Sequence, residues 1–293
     1  TQDIGVEAYR VEALSPHVTG LGATASMVGF RLGMWASGGG ALYLATYISW
    51  SNTYLLMASL VGLGILTTLC TSEPQEAPTP SHTRNIMKKY RDFWREFMDF
   101  FKHKDWIWLL PFIFFFKLGD TILNMMSVPF LLETGFNLIE IANIAKTLGV
   151  SATILGGLLA GYAISRSSIY STLLVSAFLE LISGILFFWQ AKLGHDLEWL
   201  TLTMTVESVA SGMTITSLIA YFSFLCRKPF TGTFYAILSS FASLDRLGVS
   251  ALAGWFADRV TWPTYFFMVS LSCLPAIVLL VAWRKRFQAY DAP

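Results

Sequence analysis

Eight stretches of this chain are apolar for long enough to cross a bilayer, and that constrains its fold more than any other feature. A hydrocarbon core takes about 20 mostly apolar residues per helical span. The qualifying runs are 20–46, 53–70, 106–132, 139–164, 171–191, 199–225, 234–256 and 264–283. Only 13% of the 293 residues are charged and 54% are hydrophobic, whereas about a quarter of a soluble domain is charged. The expectation is an all-α polytopic membrane protein.

The positive charges outside the spans orient it. One set of alternate loops carries Arg10, then Arg84, Lys88, Lys89, Arg91, Arg95, Lys102 and Lys104, then Arg166, Arg227 and Lys228, and finally Arg284, Lys285 and Arg286. The other set carries Lys192 and Arg259. The positive-inside bias places the first set, with the C-terminus, in the cytoplasm. Between the second and third runs, "TSEPQEAPTPSHT" (71–83) has the prolines of a linker. In the following 84–104 stretch, Ile86, Tyr90, Phe93, Trp94, Phe97 and Phe101 recur at helical spacing opposite Lys89, Arg91, Arg95, Glu96 and Lys102. That pattern predicts a basic amphipathic helix lying on the cytoplasmic interface.

The two sides of this linker echo each other. Thr19-Gly20, Arg31-Leu32-Gly33, Trp50, Tyr54, Met57 and Ser59-Leu60 match, in order, Thr231-Gly232, Arg246-Leu247-Gly248, Trp262, Tyr265, Met268 and Ser270-Leu271. Threonine and tryptophan are 31 positions apart in both copies, the copies are about 212 residues apart, and the internal arginine slips by three residues, just under one helical turn. Six helices fit in that distance, so the repeat is a six-helix unit in one orientation, the arrangement of the two halves of major-facilitator transporters. On this reading residues 1–70 are the remainder of an N-terminal six-helix half, 71–104 are the cytoplasmic linker and interfacial helix, and 105–293 are a C-terminal six-helix half. The chain is then expected to hold the last nine helices of a twelve-helix protein, with the counterparts of three helices preceding Thr1.

The wording of the sequence is also familiar. "TQDIGVEAYRVEALSP", "GFRLGMWASGGGALYLA", "FFFKLGD", "AKTLGVSATILGGLLAG", "VESVASGMTITSLIAY" and "LAGWF" resemble, in order along nearly the whole chain, the AmpG-type muropeptide permeases of the major facilitator superfamily. The resemblance implies a proton-coupled importer of anhydro-muropeptides (GlcNAc-anhydroMurNAc peptides) across the bacterial inner membrane, serving cell-wall recycling. The chain differs from the family at Glu7-Ala8-Tyr9, where Asp-Ala-Trp is usual. The family is distantly similar to acetyl-coenzyme A transporters, so another large anion is the alternative solute. A non-transporting remnant or sensor is the alternative of a different class.

Charges inside the spans are the candidate site. Each costs about 2.5–3.5 kcal/mol at the bilayer centre on insertion scales, so each is expected to face a partner or a cavity. Lys117 and Asp120 sit three residues apart on one helix face and can pair. Either the pair locks the helix register, or Asp120 exchanges Lys117 for a proton while Lys117 holds an anionic group of the solute. Arg31 and Arg246 are repeat-related; they either bind carboxylates bidentately or cap carbonyls of neighbouring helices. Glu207 is the alternative proton carrier, or a conformational lock. Gln2, Asp3 and Lys146 complete the candidate set, while Glu180 has no motif around it and is left outside. Gly29-x-x-x-Gly33 and Gly157-x-x-x-Gly161 are small-residue patterns that let helices approach.

Other chemistries find no support. The sequence has no HExxH, GxSxG or P-loop, and His17, His82, His103 and His195 all fall in loops. Cys70, Cys226 and Cys273 are scattered and form no metal pair. The expectation is a protein that is not an enzyme and needs no cofactor, metal or nucleic acid; its partners are a muropeptide-like solute, protons and the lipid bilayer.

Overall fold

The computed structural model describes residues 2–14, 18–45, 47–71, 91, 94–95, 98, 106–141, 143–144, 148–225 and 231–284. Of the linker and interfacial helix expected over 71–104, Thr71, Arg91, Trp94, Arg95 and Met98 are among them; the last four are helical and exposed. The remainder of that expectation lies outside the described residues.

Those residues form helices joined by short turns: α1 (Gln2–Ala13), α2 (Thr19–Trp35), a π-helical turn (Ala36–Gly40), α3 (Ala41–Ala45) and α4 (Trp50–Cys70). After the linker come α5 (Trp106–Glu133), α6 (Leu138–Ile141), α7 (Gly149–Arg166), α8 (Ile169–Leu193) and α9 (Leu197–Leu225). The chain ends with α10 (Thr231–Ala242), α11 (Leu244–Ala257), α12 (Trp262–Ser272) and α13 (Leu274–Ala282). Among the described residues, five helical stretches are long and apolar enough to span: Trp50–Cys70, Trp108–Glu133, Ile169–Leu193, Leu197–Leu225 and Trp262–Ala282.

The other expected spans are shorter or interrupted, for local reasons. The run over 20–46 is broken by the π turn at "ASGGG", where three consecutive glycines withdraw side-chain support. The run over 234–256 breaks at Ser243, whose N–H donates to Ser240 O in a tightened turn while its Oγ donates to Ser239 O. The run over 264–283, counted among the five, also breaks: between α12 and α13, Pro275 has no N–H to continue the ladder, and the chain turns at Cys273.

Caps fix the helix ends. Ser168 Oγ accepts from Ser171 N–H at 3.0 Å to start α8, and an Asp196 oxygen accepts from Trp199 N–H at 3.0 Å to start α9. Gly135 (φ 100°) and Gly194 (φ 76°) terminate α5 and α8 in a backbone region that side chains resist. The two halves of the sequence repeat start their helices alike: α2 and α10 begin at Thr19 and Thr231, α4 and α12 at Trp50 and Trp262.

Small residues set the closest helix packing. Methyl groups at Gly156 and Gly212 would run into the Val209 and Thr153 backbones respectively, so α7 and α9 meet backbone to backbone. Gly157 and Gly161 hold α7 against α2, facing Met27 and Thr24, and Thr24 Oγ1 donates to Gly157 O at 2.9 Å. The other expected pattern is corrected. A methyl at Gly29 or Gly33 would meet nothing among the described residues, so this face of α2 makes no close approach there.

Two apolar clusters fill the bundle. One joins Phe112, Ile113 and Phe116 of α5 to Leu173 and Ala177 of α8, Leu218, Tyr221 and Phe222 of α9, Leu238 of α10 and Leu280 of α13. The other joins Leu123 and Phe130 of α5 to Phe187 of α8, Leu200 and Met204 of α9, and Tyr265, Phe266 and Val269 of α12. Its aromatic rings interlock, with centroids 4.8 Å apart for Phe130–Phe266 and 5.0 Å for Phe187–Phe266. Along α5, α8 and α9, polar residues separate the clusters.

Candidate transport site

The layer between the clusters is charged. On α5 it falls between Phe116 and Leu123 and contains Lys117 and Asp120, near the helix centre. On α8 it falls between Ala177 and Phe187 and contains Glu180, again near the middle. On α9 it lies between Met204 and Leu218 and contains Glu207. Arg31 of α2 reaches toward it from the other side of the linker in sequence.

The pair on α5 forms as the spacing predicts: Lys117 Nζ donates to Asp120 Oδ2. Asn124, one turn further along, donates from Nδ2 to Asp120 Oδ1 at 2.9 Å. Both carboxylate oxygens are thus engaged, and Asp120 is only 4% exposed. Glu207 is also buried; its Oε2 accepts from Ser208 Oγ at 3.2 Å, and its charge interacts with Asp120, Arg31 and Lys117. Arg31 is half-buried, and its Nε is enclosed without a hydrogen-bond partner among the described residues.

Glu180 is 2% exposed and accepts from Thr214 Oγ1 at 3.0 Å. Its charge interacts with Asp120, Glu207 and Lys117. Four helices therefore bring three buried acids and two part-buried cations into one layer, where their charges act on one another in low dielectric. Such a layer can hold anionic groups of a solute on the cations and protons on the acids.

The structure brings together Arg31, Lys117, Asp120 and Glu207 of the expected set, and adds Glu180. Sequence reading set Glu180 aside because its hydroxyl partner lies 34 residues away on another helix; its position inside an apolar span was the available signal. Gln2 and Asp3 lie on α1 and Arg246 on α11, with side chains outside the described residues. Lys146 lies outside the described residues altogether.

Arg10 corrects the loop assignment. It is on α1, buried, and donates from Nε and Nη2 to Glu7 Oε2 at 2.9 and 2.5 Å, and from Nη2 to Ser223 Oγ of α9 at 2.8 Å. It is a packing cation, not a loop charge, and the Glu7–Arg10 spacing of three was the signal for it. Lys192 and Arg259 do sit at helix ends, Lys192 Nζ 4.5 Å above Phe188 and Arg259 Cζ 3.9 Å above Trp255.

Comparison with known proteins decides the family. No protein-family profile matches the chain. A Rickettsia typhi protein named as transporter AmpG 3 is 32% identical over 291 residues, covering 98% of this chain and 69% of that protein. The chain belongs to the AmpG transporter family. The anhydromuropeptide permease of Escherichia coli K12 is likewise 32% identical over 292 residues, and the chain spans 58% of its length. AmpG 1 of Rickettsia felis is 26% identical over 321 residues. The all-α membrane architecture is accordingly the major facilitator fold of AmpG proteins, and the buried charged layer belongs to a transporter.

Proposed function

We propose that the chain forms part of a proton-coupled importer of anhydro-muropeptides, sugar-peptides rich in carboxylates, in the bacterial inner membrane with its C-terminus cytoplasmic. The observation that supports it most is the Lys117–Asp120 pair near the centre of a span, with Asp120 buried and Lys117 partly buried, beside Glu207 and Arg31. An ion pair at that depth is expensive to keep as mere packing. It becomes useful when the cation can exchange Asp120 for a solute carboxylate and the acid can exchange the cation for a proton. The name of the Escherichia coli relative supports the choice of solute.

In this reading Arg31 and Lys117 receive the solute's carboxylates. Arg246, the repeat counterpart of Arg31, and Gln2, Asp3 and Lys146 serve the same solute and its protons. Residues 1–70 act as part of one half, 105–293 as the other, and 71–104 tether them at the cytoplasmic surface. Access alternates as the halves rock about the midplane layer.

Counterflow tests the solute. Vesicles carrying the protein are loaded with unlabelled anhydro-muropeptide and given a labelled trace outside. Exchange that anhydro-muropeptide competes and acetyl-coenzyme A does not supports the reading. Competition by acetyl-coenzyme A alone contradicts it.

A further inference from the structure

We propose that Glu180 is a proton-binding residue of the transport cycle, taking up and releasing a proton that travels with the solute; this rests on the transporter reading above. Glu180 is fully enclosed on α8. One oxygen, Oε1, accepts from the Thr214 hydroxyl at 3.0 Å, while Oε2 is buried and accepts from no described residue. A buried carboxylate is tolerated when a cation or several donors compensate it, and one neutral hydroxyl does neither.

The groups that face it do not supply the deficit. From α5 come Asp120 and Lys117, from α9 Glu207, and from the junction of α12 and α13 the Cys273 thiol. Lys117 is already donating to Asp120, and the two other acids add negative charge. A proton on Oε2 removes the charge and turns an orphaned acceptor into a hydroxyl donor. The transfer is a simple acid–base step: the proton leaves water on the side where the layer is open, bonds to Oε2, and returns to water when the layer opens to the other side. The apolar clusters above and below keep it from leaking between those events.

The roles of the acids then separate. Asp120 is tied to Lys117 and responds when a solute anion takes that cation. Glu180 has no such tie and loads in the field of Asp120 and Glu207, with Thr214 holding its orientation.

Infrared difference spectra of the protein in lipid, recorded between alkaline and acidic buffer, read carboxyl protonation directly. The expected result is a protonated-carboxyl band that Glu180→Gln removes, that Glu180→Asp retains at a displaced frequency, and that Thr214→Val shifts. Vesicle transport gives the second readout. Glu180→Gln should lose accumulation of labelled anhydro-muropeptide against its gradient while continuing counterflow, whereas a merely structural role loses both together. An unchanged infrared spectrum in Glu180→Gln, or gradient-driven accumulation by that variant at the wild-type level, overturns the proposal. Wild-type protein that fails at counterflow contradicts the solute reading instead, and the infrared result then decides Glu180 alone.

Discussion

Removing Arg10 should strand a buried carboxylate and loosen α1 from α9. The guanidinium makes two hydrogen bonds to Glu7 Oε2 and one to Ser223 Oγ, and both charged side chains are 8% exposed. Breaking a buried pair by deleting one partner costs about 3–5 kcal/mol, because the remaining charge keeps its desolvation penalty without its counter-ion. Arg10→Met is therefore expected to lower stability by about 3 kcal/mol or more. Ser223→Ala, which removes one hydrogen bond to a charged group, should cost about 1.5–3 kcal/mol. The double variant Glu7→Leu with Arg10→Met removes both charges and should recover most of the loss. The assay is equilibrium unfolding by SDS titration in mixed micelles, run on the wild type, Glu7→Leu, Arg10→Met and their double variant as a double-mutant cycle, with Ser223→Ala measured beside them. If Arg10→Met leaves the midpoint unchanged, or the double variant loses the sum of the two single losses, the buried-pair reasoning is refuted.

Glycine substitutions should have opposite signs at two kinds of site. Gly156→Ala and Gly212→Ala push a methyl into a neighbouring backbone and should destabilise by about 1–3 kcal/mol. Gly29→Ala, with open space around it, should stabilise α2 by about 0.5–1 kcal/mol; the same unfolding titration checks both. At the turns joining α5 to α6 and α8 to α9, His195 Nε2 lies 3.2 Å from Glu140 Oε2 and its ring stacks on Phe136 at 4.3 Å. The Asn137 backbone N–H, with His195 adding to it, holds the Glu140 carboxyl below its ordinary 4.5. Its lowered value means that the stability it contributes is present above 4.5 and is lost as pH falls through the folded value. The protection factors of amides at these turns should therefore fall on acidification through that range, and Glu140→Gln should abolish the fall.

Much of this architecture was legible because membranes restrict chains so strongly. Four runs became unbroken helices and a fifth spans with a break at Cys273, and the i, i+3 spacing of Lys117 and Asp120 produced the ion pair it suggested. Gly157-x-x-x-Gly161 did pack α7 against α2. Interruptions were harder to see, since hydropathy along 20–46 or 234–256 is blind to a glycine run or a serine that bonds its own preceding turn. Arg10 was misplaced for a related reason: a charge on a short helix belongs to a loop or to a core according to what covers it, and here Ser223 and its neighbours on a distant helix do so. Glu180 was visible as a charge, but its importance came from Thr214, Asp120 and Glu207 converging across three helices. Gly29 and Gly33 show the converse, a packing pattern with no helix against it among the described residues.

The central claim is that the buried charged layer couples solute movement to protons through Asp120. The most direct measurement is uptake of labelled anhydro-muropeptide into vesicles with and without an imposed inward proton gradient, comparing the protein with its Asp120→Asn variant. Gradient-dependent accumulation that Asp120→Asn abolishes is the predicted result. Accumulation that ignores the gradient, or that survives Asp120→Asn undiminished, would contradict the account.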